Sequence, residues 1–209
     1  IFGCLRENDL FKNTWVIFTA DHGEMLGDHH MSQKNLFFEG SAHVPLLIMP
    51  PQGRSLPQNI SVEAPADLVD LYPTILAMAG LSSPVSVSGK NLLEPVPMDR
   101  IFFGNSLNRN FCVMEEKVKL VYSAVGDHVL LFDLNTDPME QHNLAEDPAW
   151  QERKAKLWKL LLEHTAQYTP EALDENGQFL TYEAPHFPGD VPGRWFGFHY
   201  HEYSVDTFH

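Results

Sequence analysis

The 209 residues are 44% hydrophobic and 11% aromatic, enough for one medium domain or a domain with a small appendage, and too apolar for a disordered chain. With 14 Lys+Arg against 28 Asp+Glu, the formal net charge is −14, which disfavours a nucleic-acid partner, since that binding draws on a basic face. No run of about 18 apolar residues exists, so no membrane-spanning helix is expected. An anionic small substrate is compatible with this charge if a metal or a few local cations override the acidic field.

Ile1, Leu5 and Leu10 fall at roughly helical spacing, with a stop at Asn8-Asp9. The opening Ile1-Phe2-Gly3-Cys4-Leu5 reads like the middle of an amphipathic helix, which predicts a chain cut from a longer polypeptide. Trp15–Ala20 and Val44–Met49 are near-continuous runs of β-formers, the pattern of strands buried on both faces of a parallel sheet. The loop between them is rich in His, Gly and Asp and starts at a strand's carboxyl end, where open α/β sheets bind ligands. Residues 66–80 place Leu68, Leu71, Ile75, Leu76 and Ala79 on a helical period, with Gly80 as the stop and Pro73 starting or bending the helix.

Residues 82–97 are loop-like. Residues 101–104, 111–114, 117–125 and 128–134 then read as short antiparallel strands. Asp147-Pro148 opens a helix with Asp as N-cap and Pro in its first turn, and an apolar stripe of Trp150, Leu157, Leu160 and Leu161. The last 40 residues show little periodicity. Cys4 and Cys112 are compatible with free thiols or with a pair.

The segment Thr19-Ala20-Asp21-His22-Gly23-Glu24-Met25-Leu26-Gly27-Asp28-His29 carries the most chemistry. Adjacent side chains in a strand point to opposite faces, so Asp21 and His22 share one ion only where the strand gives way to a loop. Gly23 supplies that backbone freedom. A carboxylate and an imidazole suit calcium, manganese or zinc, and two donors leave the set incomplete. The competing reading is a turn with a capping Asp and a structural His. Lys34, twelve positions beyond His22, suits a tetrahedral oxyanion beside a metal; its competing reading is a solvated surface lysine. No Gly-rich loop has phosphate-cradle spacing, which removes a nucleotide-binding module.

In order, Asp21-His22-Gly23-Glu24, Gly27-Asp28-His29, Lys34, Phe38-Glu39 and Val44-Pro45-Leu46-Leu47-Ile48 resemble the downstream metal-site segment of sulfatases, in the alkaline-phosphatase superfamily. Asp70-Leu71-Tyr72-Pro73-Thr74 through Gly80 resembles the family's next helix. Leu131-Phe132-Asp133-Leu134 with Asp137-Pro138-Met139-Glu140-Gln141-His142-Asn143-Leu144 resembles its closing strand and turn.

The resemblance implies an α/β fold: part of a mainly parallel sheet flanked by helices in residues 1–97, the carboxyl-terminal part of the catalytic domain. Residues 98–209 would form an α+β subdomain of antiparallel strands, a packed helix and an aromatic, His-rich tail. Asp21 and His22 would ligate the catalytic metal, usually calcium in this family, with manganese or zinc as alternatives, and Lys34 would contact the sulfate. Glu24, Asp28 and His29 would be structural or support the site, and His43 would be structural rather than catalytic.

The family's formylglycine nucleophile arises from Cys/Ser-x-Pro-x-Arg, which neither Cys4-Leu5-Arg6-Glu7-Asn8 nor Cys112-Val113-Met114-Glu115-Glu116 matches. It is therefore expected upstream, in the amino-terminal half of the same enzyme, and this chain alone is expected to be inactive. In the tail, His199 and His201 are candidate substrate contacts in an aromatic lid; the other reading is a strap over the core. The implied substrate is a sulfated small molecule or sugar. Phosphonate monoester or phosphodiester hydrolysis is the runner-up chemistry, and a structural, substrate-binding piece the non-enzymatic one. Relatives are often exported or lysosomal.

Overall fold

The computed structural model describes residues 1–31, 34, 37–54 and 60–183. They form two compact units, one of residues 1–21 and 44–98 and one of residues 22–43 and 99–209.

In the first unit, helix α1 (Phe2–Glu7) ends at Asn8. Strand β1 (Val16–Thr19) pairs with β2 (Leu46–Met49), Phe18 lying opposite Leu47 and Ile17 opposite Ile48. The pairing is antiparallel, so the expected mainly parallel sheet is not what these two strands form. Apolar β-branched and aromatic residues favour a strand without encoding the direction of its neighbour. Nor are the strands buried on both faces, for Phe18 is 59% and Leu47 57% exposed. Among the described residues of this unit only Asp70 and Thr74 are buried.

These two polar residues knit helix α3 (Leu71–Met78) to the following loop. Asp70 accepts the backbone N–H groups of Asp67 and Lys90, at 2.8 and 2.7 Å, in a capping box over the short 3-10 turn at Leu68–Asp70. Thr74 donates to the Asp70 carbonyl and accepts from the Leu92 N–H. Pro73 lies in the first turn of α3, where a missing N–H costs no helical bond. At the other end Leu81 N–H reaches Leu76 O and Gly80 N–H reaches Ala77 O, with Gly80 at φ +71°, the Schellman arrangement.

The second unit is built on the meander β3 (Phe102–Ser106), β4 (Asn110–Glu115), β5 (Val118–Ser123) and β6 (His128–Asp133), antiparallel throughout as expected. Alternation divides its side chains between two faces. Phe111, Val113, Leu120, Tyr122 and Leu131 pack with Leu157 and Leu161 of helix α4 (Gln151–Tyr168). Asp147 caps the approach to α4 by accepting from Ala149 N–H, with Pro148 in the first turn.

On the other face Cys112, Val121, Leu130 and Phe132 pack with Met25, Met31 and Phe38, so residues 22–43 are the second cover of this sheet. Phe37 sits against Gly104, where a Cβ would lie 2.3 Å from its ring. Leu157 is fully buried, and Leu157→Ala is expected to lower stability by about 2–5 kcal/mol in urea unfolding. A loss below about 1 kcal/mol would contradict its place in the core. No helix among the described residues is long and apolar enough to cross a membrane.

Candidate functional site

Asp21 lies two residues beyond β1 and is exposed. His22 is half-buried, its Nδ1 2.7 Å from the carbonyl oxygen of Gly23. A carbonyl only accepts, so Nδ1 carries a proton, and in the neutral ring Nε2 holds the lone pair. Metal-bound histidines are commonly fixed in this way, the far nitrogen ligating while the near one donates to a backbone carbonyl. The donor types therefore fit a divalent cation.

Short helix α2 (Glu39–Ala42) holds the Gly23 backbone, whose N–H donates to Ser41 O at 2.7 Å. The chains approach so closely that a Cβ on Gly23 would lie 2.1 Å from Gly40 O. Glycine is required here by contact, not by its dihedral angle.

Between His22 and α2 the loop anchors itself through buried Met25 and Met31. A turn joins them, with Leu26, Gly27 and His29 at positive φ and Gly27 N–H donating to Met31 O. The His29 ring stacks on Phe38 at 4.3 Å, a structural contact. Glu24 and Asp28 are exposed, and Lys34 is an exposed residue in a bend. His43 is 76% exposed and pairs with Glu39 Oε2 at 2.8 Å. His199 and His201 lie outside the described residues.

Among the described residues no group of three or more His, Cys, Asp or Glu side chains forms a metal cage. A cation held by Asp21 or His22 takes further ligands from elsewhere.

Sequence reasoning missed a buried ionic cluster beside this loop. Lys119 of β5, 3% exposed, donates to Phe37 O at 2.7 Å and Glu39 Oε1 at 2.6 Å. It also pairs electrostatically with Glu140 Oε1 at 2.8 Å, and Glu140 Oε2 accepts the Glu39 backbone N–H at 2.7 Å. Burial by itself pushes the Lys119 pKa down, but Glu140, with Cys112 and Glu39, outweighs it and the net shift is upward. The group stays an ammonium. The signal was present: a lone lysine inside the apolar run Val118–Tyr122 needs buried carboxylates. Cys4 and Cys112 are both free, and burial pushes the Cys112 thiol up to about 12.

The sulfatase family model matches residues 1–81. Arylsulfatase K of Xenopus laevis is 34% identical over 165 residues, covering 69% of this chain and 30% of that protein. The uncharacterized sulfatase YidJ of Escherichia coli (strain K12) is 32% identical over 165 residues, covering 73% of this chain and 32% of its own. In structure, the phosphonate monoester hydrolase of Agrobacterium radiobacter superposes with a TM-score of 0.64 at 29% identity, over 84% of this chain and 40% of the hydrolase. The chain thus spans about a third of the length of the curated relatives it matches.

Proposed function

The chain belongs to the sulfatase family, and from that premise we propose that it forms part of an enzyme hydrolysing sulfate esters. In this reading Asp21 and His22 are two ligands of its catalytic metal, most simply calcium, and Lys34 contacts the sulfate. The observation that carries it is the His22 ring, whose Nδ1–H is committed to Gly23 O so that Nε2 is the ligating nitrogen. Asp21 supplies a hard oxygen one residue away.

A divalent cation bound there would act as Lewis acid toward the sulfuryl oxygens and as a template for the nucleophile. The Lys34 ammonium neutralises charge that builds on the same oxygens as the ester bond lengthens. The formylglycine nucleophile and the remaining metal ligands are assigned to other parts of a longer enzyme, so this chain alone is inactive. The apolar, exposed face of Phe18, Leu47 and Met49 supports that view, since such a surface suits cover by further chain. The acidic net charge disfavours a nucleic-acid partner. The implied substrate is a sulfated small molecule or sugar.

The 29% identity to a phosphonate monoester hydrolase keeps phosphoryl chemistry as the second reading. Assay of the full-length enzyme on matched aryl sulfates, phosphonate monoesters and phosphodiesters separates the two. The expected result is a higher kcat/KM for the sulfate ester. Faster turnover of the phosphorus esters would overturn the sulfatase assignment.

A further inference from the structure

Burying a carboxylate and an ammonium, with a second carboxylate half-buried beside them, seldom stabilises a fold more than apolar packing would, because each ion loses hydration. Lys119 and Glu140 are almost wholly buried on the sheet face covered by residues 22–43. Their contacts converge on one short stretch. Phe37 is held by its carbonyl and Glu39 by both its backbone N–H and its carboxylate. Three attachments at residues 37–39 fix both the position and the axial direction of α2.

Glu140 adopts φ +54°, an uncommon conformation for a residue with a side chain, and its carboxylate caps the first residue of α2 from 101 positions away. The Glu39 side chain reaches Lys119 with one oxygen and His43 with the other, spanning the length of the helix.

From α2 the connection to His22 is short. Ser41 O accepts the Gly23 N–H, Gly40 O lies 2.1 Å from where a Gly23 Cβ would be, and Gly23 O accepts the His22 Nδ1–H. A shift of α2 therefore moves the carbonyl that orients the imidazole.

We propose that Lys119, Glu140 and Glu39 are positioning residues for His22, an ionic clamp that sets the imidazole through helix α2 and the Gly23 backbone. The inference rests on the reading of His22 as a metal ligand. It adds to that reading a dependence of metal affinity on a lysine that touches neither metal nor substrate.

The test uses the full-length enzyme. Lys119→Met keeps the stem and removes the charge, and Glu39→Gln is a milder change that keeps the hydrogen-bonding shape. Leu157→Ala, on the opposite face of the sheet, controls for lost stability alone. Calcium affinity is expected to fall about 10- to 100-fold in Lys119→Met, the range for residues that orient a ligand. It should fall less in Glu39→Gln and stay unchanged in Leu157→Ala. Amide exchange at residues 22–31 should quicken in the first two variants only, and Lys119→Arg should restore part of both losses.

Unchanged calcium affinity and unchanged exchange in both clamp variants would overturn the proposal, as would an equal loss of affinity in Leu157→Ala. Should Lys119→Met fail to fold, Glu39→Gln decides. If the wild-type enzyme binds none of calcium, manganese and zinc, the metal-ligand reading of His22 fails separately, and amide exchange still reports whether the clamp orders the segment.

Discussion

Asp21→Ala in the full-length enzyme is expected to lower kcat/KM for a sulfate ester by about 100- to 1,000-fold, and Lys34→Ala by a similar amount. The cation that Asp21 would hold and the Lys34 ammonium are proposed to meet charge that is larger in the transition state than in the ground state. Their removal therefore appears mainly in kcat, not KM. The two losses should differ in one respect. Asp21 would act through the cation, so part of the activity returns at high calcium by mass action. Lys34 brings its own fixed charge, and added calcium should not replace it. Steady-state kinetics across a calcium titration reads both effects. Near-normal turnover in either variant, or calcium rescue of Lys34→Ala, would remove that residue from its assigned role.

Most of the second unit was legible in the sequence because its signals are local. Asp147 followed by Pro148 specifies a helix start by side-chain acceptance and a preset φ, and α4 begins there. The stripe of Leu157 and Leu161 names the face that packs on the sheet. In the first unit, Gly80 at positive φ closes α3 as its place after the last apolar residue implied.

What escaped was non-local. The apolar run before Asp21 implied burial on both faces and a parallel neighbour, yet β1 pairs antiparallel with β2 and leaves Phe18 exposed. Strand direction depends on the route of the intervening residues, which apolarity does not encode. The role of residues 22–43 as the second cover of the antiparallel sheet was equally hidden. Its clue was the continuity of the β4–β6 apolar runs, since a sheet with one wet face would alternate. Lys119 was a further clue, a charge that only distant carboxylates could satisfy.

At the site itself the motif directed attention to Asp21, His22 and Lys34. Gly23 read as a source of backbone freedom, whereas the structure shows a position where two backbones touch.

That distinction leads to a second large expected effect. Gly23→Ala adds one methyl group, which would sit 2.1 Å from Gly40 O, 3.1 Å from Gly40 C and 3.3 Å from Ser41 O. All three are backbone atoms, so no side-chain rotation relieves the clash. The two segments must separate, breaking the Gly23 N–H bond to Ser41 O and carrying the Gly23 carbonyl, and with it the His22 ring, out of place. A displacement of about 1 Å at a reacting centre can cost on the order of 100-fold in rate, and that is the loss expected in kcat/KM of the full-length enzyme.

Gly27→Ala provides the contrast. Gly27 has open space around the position of a Cβ but a φ of +104°. Its replacement strains the backbone by about 1–3 kcal/mol without pushing α2 away from Gly23. Thermal unfolding should therefore register Gly27→Ala clearly while its kcat/KM stays near that of the wild type, and Gly23→Ala should lose both. If Gly23→Ala retained full activity, the short path from α2 to the imidazole would have no functional weight, and the ionic clamp behind it would be left with a purely structural role.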